Sequence, residues 1–137
     1  MKILFMCVAN SARSQLAEGL AREIFRTAEI GSAGSNPGQL NPHAIQVMKE
    51  IGIDISKQFS KSYDELSPKF KSSINYIITL CAEEVCPVVI SKAKKLHWPF
   101  PDPASKSPLS EKEFLQRFRD ARDAIKARLL QFQKELE

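Results

Sequence analysis

Apolar and polar positions along the chain follow two periods, which predict β-strands interleaved with α-helices. Short apolar runs indicate strands over residues 2–6, 28–33, 76–80 and 92–98. Apolar residues spaced three and four apart indicate helices over residues 14–26, 42–51 and 110–135, with a short helix near residue 64. Strands joined through helices build a parallel sheet by right-handed crossovers. We therefore expect one domain over residues 1–137 with an α/β fold: a three-layer, four-stranded parallel sheet with helices on both faces.

Capping residues mark the ends of two predicted helices. Asn41 is a suitable N-cap, Pro42 suits the first helical position, and Gly52 ends that helix. Ser110 is a suitable N-cap for the last helix. An apolar stripe runs along this last helix through Phe114, Phe118, Ala121, Ile125, Leu129, Phe132 and Leu136. Such a stripe predicts packing against the sheet rather than a ligand site.

The junction between the first strand and the first helix carries the segment Cys7-Val8-Ala9-Asn10-Ser11-Ala12-Arg13-Ser14. A loop that enters a helix leaves backbone N–H groups without intrahelical partners, and these groups face any anion at that end. The same field and a nearby arginine favour a thiolate over a thiol. The planar guanidinium of Arg13 matches a tetrahedral oxyanion. The segment therefore predicts an oxyanion-binding loop that follows a nucleophile, Cys7.

The other interpretation of Cys7 is that it only packs in the core. A cysteine at the end of an apolar strand is more often a small buried hydrophobe than a nucleophile. Packing alone would not require Asn10, Ser11, Arg13 and Ser14 to follow it. The polar loop therefore favours chemistry at Cys7.

Composition and charge exclude several classes of function. No apolar stretch is long enough to span a membrane, and the N-terminus lacks a signal-peptide pattern, so we expect a cytoplasmic protein without membrane association. The 20 lysines and arginines are mixed with 16 acidic residues, and this scattered net charge of +4 argues against nucleic-acid binding. Three cysteines in a reducing compartment do not suggest a disulfide framework. Cys81 and Cys86 must therefore be explained by chemistry or by packing.

Three predicted strands lead into chemically useful side chains. The first strand leads into Cys7, the third into Cys81, and the fourth into a proline-rich loop that contains Asp102. Ligands of parallel sheets bind beyond the carboxyl ends of the strands, so we expect these three residues to lie near one another. An aspartate that faces a thiolate is a suitable general acid.

These residues resemble a known family. Cys7-x5-Arg13-Ser14 with a later Asp102-Pro103 is similar to the low-molecular-weight protein tyrosine phosphatase superfamily. Within it, the chain looks most like the thioredoxin-coupled arsenate reductases. That likeness lies in residues 10–19, Ser32-Ala33-Gly34, Thr79-Leu80-Cys81, His97-Trp98 and Asp102-Pro103-Ala104. Phosphatases of this fold usually carry an aromatic residue where Ala104 stands, and a small residue there suits a small inorganic oxyanion.

The resemblance implies a monomeric arsenate reductase that converts arsenate to arsenite without a cofactor and with thioredoxin as its reductant. By that resemblance, Cys7 attacks arsenate, for which phosphate or sulfate is an analogue. Arg13 and the loop amides hold its oxygens, and Asp102 protonates the departing hydroxyl. Cys81 then attacks Cys7, and Cys86 attacks Cys81. Thioredoxin reduces the resulting Cys81–Cys86 disulfide.

The resemblance also bears on metal binding. Asn10, Glu18 and Ser32 resemble positions that bind a potassium ion in some members of the family. Lys61 stands where those members carry an acidic residue, and an ammonium group there can replace the ion. We therefore expect no metal site, and we expect Asn10 and Ser14 to brace the loop by hydrogen bonds.

Three other functions remain open. A low-molecular-weight tyrosine phosphatase needs only Cys7, Arg13 and Asp102, and Cys81 and Cys86 would then be incidental. A phosphocysteine carrier protein of a sugar-transport system has a similar sheet, but Arg13 argues against it because a carrier need not stabilise a transition state. A non-enzymatic redox sensor would carry switching cysteines without turnover.

The spacing of Cys81 and Cys86 predicts a structural change on oxidation. Residues five apart in a regular helix have Cα atoms roughly 8.7 Å apart, whereas a disulfide requires less than about 7 Å. A regular helix over residues 81–86 is therefore incompatible with a disulfide between them, and we expect oxidation to expose Cys86 to a partner. We predict that hydrogen exchange over residues 81–92 differs between oxidised and reduced protein. Identical exchange in the two states would contradict this prediction.

Overall fold

The computed structural model describes residues 1–82, 87–104 and 109–137. Its strands are β1 (Lys2–Cys7), β2 (Glu29–Gly34), β3 (Tyr76–Thr79) and β4 (Lys94–His97). Its helices are α1 (Arg13–Ile24), α2 (Pro42–Lys49), α3 (Pro68–Ser72) and α4 (Glu111–Glu135), with a 3-10 turn at Tyr63–Glu65. The short helix α3 was not predicted; it begins at a proline, and Ser67 accepts a hydrogen bond from the backbone N–H of Phe70.

The four described strands form one parallel sheet in the order β2-β1-β3-β4. β1 lies in the middle, and its residues 3–6 are completely or almost completely buried. A continuous apolar strand of this kind requires cover on both faces of the sheet. The register pairs Cys7 with Gly34 of β2 and Met6 with Thr79 of β3. The predicted α/β fold is confirmed.

Helices cover the two faces of the sheet unequally. On one face, α1 and α4 pack over Ile3, Phe5 and Ile78 in the larger hydrophobic cluster. On the other face, a smaller cluster around Leu4, Met6 and Ile77 is covered by α3 and the 3-10 turn. The long helix α4 packs its apolar stripe into the larger cluster through Phe118, Ile125, Leu129 and Phe132.

The predicted helix ends agree with the structure. The Asn41 side chain accepts a hydrogen bond of 2.8 Å from the backbone N–H of His43, and α2 begins at Pro42. Gly52 follows α2 with a φ of 80°, a left-handed conformation that glycine adopts without steric cost. The Ser110 hydroxyl accepts a hydrogen bond of 3.2 Å from the N–H of Glu113 at the start of α4.

The stripe on α4 is only partly as expected. Phe118, Ile125, Leu129 and Phe132 are buried, whereas Leu136 is 37% exposed because it follows the last turn of the helix. The opposite side of α4 is polar. Within residues 1–82, 87–104 and 109–137, no helix combines the length and the apolar character needed to cross a bilayer.

Phe118 tests the contribution of α4 to the core. Its ring is completely buried, and the centroid lies 5.3 Å from that of His43 at α2. We expect Phe118→Ala to lower the free energy of unfolding by about 3–5 kcal/mol, because it leaves a cavity in the core. Lys126→Ala, on the exposed side of the same helix, should change it by less than about 0.5 kcal/mol. Urea denaturation measures both, and equal losses would show that burial of this stripe does not stabilise the fold.

Candidate active site

The loop between β1 and α1 surrounds a cavity of about 190 Å³. Its lining consists of Cys7, Val8, Ala9, Ser11, Ala12, Arg13 and Asp102. No side chain of the described residues caps α1 at Ala12. The backbone N–H groups of a first helical turn point towards an anion at that end of the helix. The cavity is therefore placed, and large enough, to hold a tetrahedral oxyanion beside a thiol.

Asn10 gives the loop its shape. Its φ is 51°, a left-handed conformation that asparagine tolerates better than most residues. The backbone carbonyl of Asn10 accepts hydrogen bonds from Gln15 Nε2 at 2.9 Å and from Ser60 Oγ at 2.6 Å. The side-chain oxygen accepts one from the backbone N–H of Lys61 at 3.0 Å. These three bonds hold the reversed chain in place.

The same asparagine orients a hydroxyl towards Cys7. The backbone N–H of Lys61 can only donate, so Oδ1 of Asn10 faces it and the amide group faces Ser14. Nδ2 of Asn10 donates to Ser14 Oγ at 2.7 Å, and Ser14 Oγ lies 2.9 Å from Cys7 Sγ. When Cys7 is a thiolate its sulfur can only accept, and the Ser14 hydroxyl, which accepts from Asn10, then donates to it. A hydroxyl that donates to sulfur supports negative charge there.

Arg13 ties the oxyanion loop to two neighbouring segments. Its guanidinium is buried and donates to the carbonyl of Phe100 at 3.0 Å and to that of Leu80 at 3.5 Å. Leu80 follows β3, and Phe100 lies two residues before Asp102. Arg13 therefore fixes the loop that carries Asp102 relative to the loop that begins at Cys7.

Asp102 lies on the surface, between Pro101 and Pro103. Its Oδ1 accepts a hydrogen bond of 2.9 Å from the backbone N–H of Ala104, which forms a local turn. The residue lines the oxyanion cavity and also a neighbouring cavity of about 600 Å³. A carboxyl group is thus present at the opening of the site.

Cys81 lies at the same edge of the sheet. Cys7 and Cys81 are both buried. Met6 is paired with Thr79, and Leu80 N–H donates to Met6 O at 2.9 Å, so Cys81 is one residue beyond the position level with Cys7. Neighbouring strands lie about 4.8 Å apart, so the backbone segments that carry the two cysteines leave the sheet side by side. Cys86, the third cysteine with a predicted role in the reaction, lies outside the described residues.

Of the three residues that resemble potassium ligands, Asn10 lies in the oxyanion loop, Glu18 on α1 and Ser32 on β2. Glu18 is buried and accepts a hydrogen bond from the Ser32 hydroxyl, and the ammonium group of Lys61 lies 3.8 Å from its Oε1. The side-chain oxygen of Asn10 faces the backbone of Lys61 instead. In the part of the chain that the structure describes, no group of three or more His, Cys, Asp or Glu side chains is placed to hold a metal ion.

Sequence reasoning did not identify the residues that hold Asn10 from outside the loop. The side-chain amide of Gln15 donates hydrogen bonds to the backbone carbonyls of Asn10 and Phe59. The Ser60 hydroxyl also donates to the carbonyl of Asn10. The side-chain amide of Gln15, on α1, is completely buried, and a buried amide needs hydrogen-bond partners. Burial of this polar side chain is the one signal that points to its role. No local pattern indicates Ser60, which acts across 50 residues of sequence.

Comparison with known proteins places these features in a family context. A family model described as low molecular weight phosphotyrosine protein phosphatase matches residues 2–137. Arsenate reductase 2 of Staphylococcus saprophyticus is 41% identical over 133 residues, which cover 95% of this chain and 94% of that protein.

Solved structures of arsenate reductases are also similar to this chain. An arsenate reductase in the phosphate binding state has a TM-score of 0.77 and 29% identity, covering 99% of this chain and 98% of the other. The thioredoxin-dependent arsenate reductase of Corynebacterium glutamicum has a TM-score of 0.66 and 26% identity. That match covers 98% of this chain and 62% of the other chain.

Gly34 tests how closely β2 supports the oxyanion loop. A Cβ atom at Gly34 would collide with the carbonyl oxygen of Val8 and approach the nitrogen of Asn10 to 3.0 Å. We expect Gly34→Ala to displace the loop, to lower the free energy of unfolding by about 1–3 kcal/mol and to slow alkylation of Cys7 by iodoacetamide. Gly38→Ala is the control, since its nearest neighbours lie at 3.9 Å. Wild-type alkylation in Gly34→Ala would contradict the prediction; urea denaturation and peptide mass spectrometry provide the readouts.

Proposed function

Since the chain belongs to the low molecular weight phosphotyrosine protein phosphatase family, we propose that it is an arsenate reductase with thioredoxin as its reductant. The observation that carries this proposal is a second buried cysteine, Cys81, on the backbone segment that leaves the sheet beside the segment of Cys7, which lines the oxyanion cavity. A phosphatase needs one thiol at this edge of the sheet, whereas reduction of the bound anion needs two. The names of the similar proteins support the same function.

In the first step, the Cys7 thiolate attacks arsenic(V) in the bound arsenate. The guanidinium of Arg13 and the N–H groups at the start of α1 hold the arsenate oxygens. A sulfur–arsenic bond forms, and one oxygen leaves as water after Asp102 gives it a proton. The hydroxyl of Ser14 stabilises the thiolate before the attack, because it donates to Cys7 Sγ.

In the second step, the Cys81 thiolate attacks Cys7 Sγ. A sulfur–sulfur bond forms while the sulfur–arsenic bond breaks, and the electron pair of that bond stays on arsenic. Arsenic(V) is thereby reduced to arsenic(III) and leaves as arsenite, and the two sulfurs become a Cys7–Cys81 disulfide. Two electrons pass from the thiolates to arsenic.

In the third step, the Cys86 thiolate attacks Cys81 and releases the Cys7 thiolate for another turnover. A dithiol of thioredoxin then reduces the Cys81–Cys86 disulfide. The relative from Corynebacterium glutamicum, which is thioredoxin-dependent, supports this choice of reductant. We place the reaction in the cytoplasm, where thiols are kept reduced.

A second candidate function is hydrolysis of phosphate monoesters through a phosphocysteine. The observation that favours it is the cavity of about 600 Å³ beside Asp102, which is large enough for an organic group. Phe100, Pro101 and Ala121 contribute apolar surface to its wall. Cys7, Arg13 and Asp102 would then act on phosphate, and Cys81 would not take part.

One experiment separates the two functions. NADPH consumption is followed with arsenate, thioredoxin and thioredoxin reductase, alongside hydrolysis of an aryl phosphate. We expect arsenate-dependent turnover that falls to background in Cys7→Ser, Cys81→Ser and Cys86→Ser, because each thiol performs one step. Cys81→Ser and Cys86→Ser retain Cys7 and therefore serve as folding controls through their Cys7 alkylation.

Two results would contradict the proposed reductase mechanism. Aryl phosphate hydrolysis that is indifferent to Cys81→Ser and Cys86→Ser, without arsenate-dependent turnover in the wild type, would reverse the assignment in favour of the phosphatase. Arsenate-dependent turnover that survives Cys81→Ser would refute the proposed second step.

A further inference from the structure

Glu18, Arg22 and Lys61 form a charged cluster that lines a separate cavity of about 290 Å³, which shares no lining residue with the Cys7 cavity. The carboxylate of Glu18, on α1, is 3% exposed. One of its oxygens accepts a hydrogen bond from Ser32 of β2, and the other lies 2.8 Å from the guanidinium of Arg22. A carboxylate this deeply buried requires positive charge and hydrogen-bond donors around it.

Lys61 supplies the second cation. Its side chain is 12% exposed, and Nζ lies 3.8 Å from Glu18 Oε1. Nζ also donates to the carbonyl of Phe59 at 3.1 Å and lies 4.6 Å from the centroid of the Phe59 ring. Burial lowers the pKa of this ammonium group, and the neighbouring Glu18 carboxylate opposes that shift. The contact with Glu18 therefore helps to keep the buried lysine charged.

The backbone of the same residue contacts the oxyanion loop. The N–H of Lys61 donates to Oδ1 of Asn10 at 3.0 Å, and its carbonyl accepts from Gly34 N–H at 2.8 Å. The first of these bonds determines which way the Asn10 amide faces. The position of the Lys61 backbone therefore decides whether Asn10 donates to Ser14, and so whether Ser14 donates to Cys7.

We propose that Lys61 is a positioning residue: its ammonium group acts as a built-in cation for Glu18 and thereby holds the backbone that orients Asn10, Ser14 and Cys7. No atom of Lys61 lines the Cys7 cavity, so its effect reaches the sulfur through the Asn10 amide. The inference deepens the proposed function, because it concerns the thiolate that starts the reaction.

The competing explanation is that Lys61 only stabilises the fold. Arg22 remains beside Glu18 when Lys61 is replaced, so the buried carboxylate keeps a cationic partner and the variants should fold. A purely structural role would lower the melting temperature and leave the reactivity of Cys7 unchanged. The two explanations therefore differ in a readout at the sulfur.

The first test measures the rate of Cys7 alkylation by iodoacetamide against pH, with the Cys7 peptide followed by mass spectrometry. We expect Lys61→Met to move the midpoint of the profile upwards by about one pH unit, which slows the reaction by about tenfold at pH values below the midpoint. Lys61→Arg keeps the positive charge and should restore most of the rate. A wild-type profile in Lys61→Met would overturn the proposal, whatever its melting temperature.

The second test reverses the charge. In Lys61→Asp, two carboxylates and the Ser32 hydroxyl meet, and such oxygen groups attract a hard cation. At constant ionic strength, replacing choline chloride by potassium chloride should speed Cys7 alkylation in Lys61→Asp. It should not do so in the wild type or in Lys57→Asp, which replaces an exposed lysine that lines the cavity of Glu18, Arg22 and Lys61. Alkylation of Lys61→Asp at the wild-type rate in both salts would overturn the proposal.

Neither test uses arsenate or thioredoxin, so the inference and the proposed function fail separately. Shifted Cys7 profiles without arsenate turnover would leave the positioning role standing and refute the reductase. Arsenate turnover with unshifted profiles would do the reverse.

Discussion

The left-handed turn at Asn10 is the constraint on which the site depends. It reverses the chain between β1 and α1, so that one short loop brings a thiol, a guanidinium and a helix N-terminus to the same cavity. Hydrogen bonds from Gln15, Ser60 and Lys61 hold this residue, and its amide in turn orients the hydroxyl next to Cys7. Local strain at a functional site is sustained in this way by contacts from distant segments.

The parallel sheet converts that local arrangement into a site with several groups. Because β1 lies between β2 and β3, the chain segments that follow β1 and β3, which carry Cys7 and Cys81, leave the sheet side by side. Arg13 holds the segment before Asp102 at the same site, because its guanidinium donates a hydrogen bond to the carbonyl of Phe100. Gly34 of β2 allows the oxyanion loop to pass close to the neighbouring strand. Fold and chemistry are therefore linked through backbone contacts at one edge of the sheet.

Features encoded within a few residues could be predicted from the sequence, and features that join distant segments could not. The oxyanion loop, the N-cap at Asn41 and the N-cap at Ser110 depend on neighbouring residues, and the structure contains each of them. Helix α3 was missed because five residues are too few to show a helical period. The contacts of Ser60 and Lys61 with Asn10 span about 50 residues, and no spacing pattern encodes them.

In the proposed mechanism, the thiols of Cys7 and Cys81 together deliver two electrons to one bound arsenate. A single turnover of the Cys86→Ser variant with arsenate, without thioredoxin, tests it most directly, because the third step is then blocked. We predict one arsenite per chain and, by mass spectrometry of peptides, a disulfide between Cys7 and Cys81. Arsenite formed while both cysteines remain thiols, or no arsenite from a variant whose Cys7 is still alkylated, would contradict the claim.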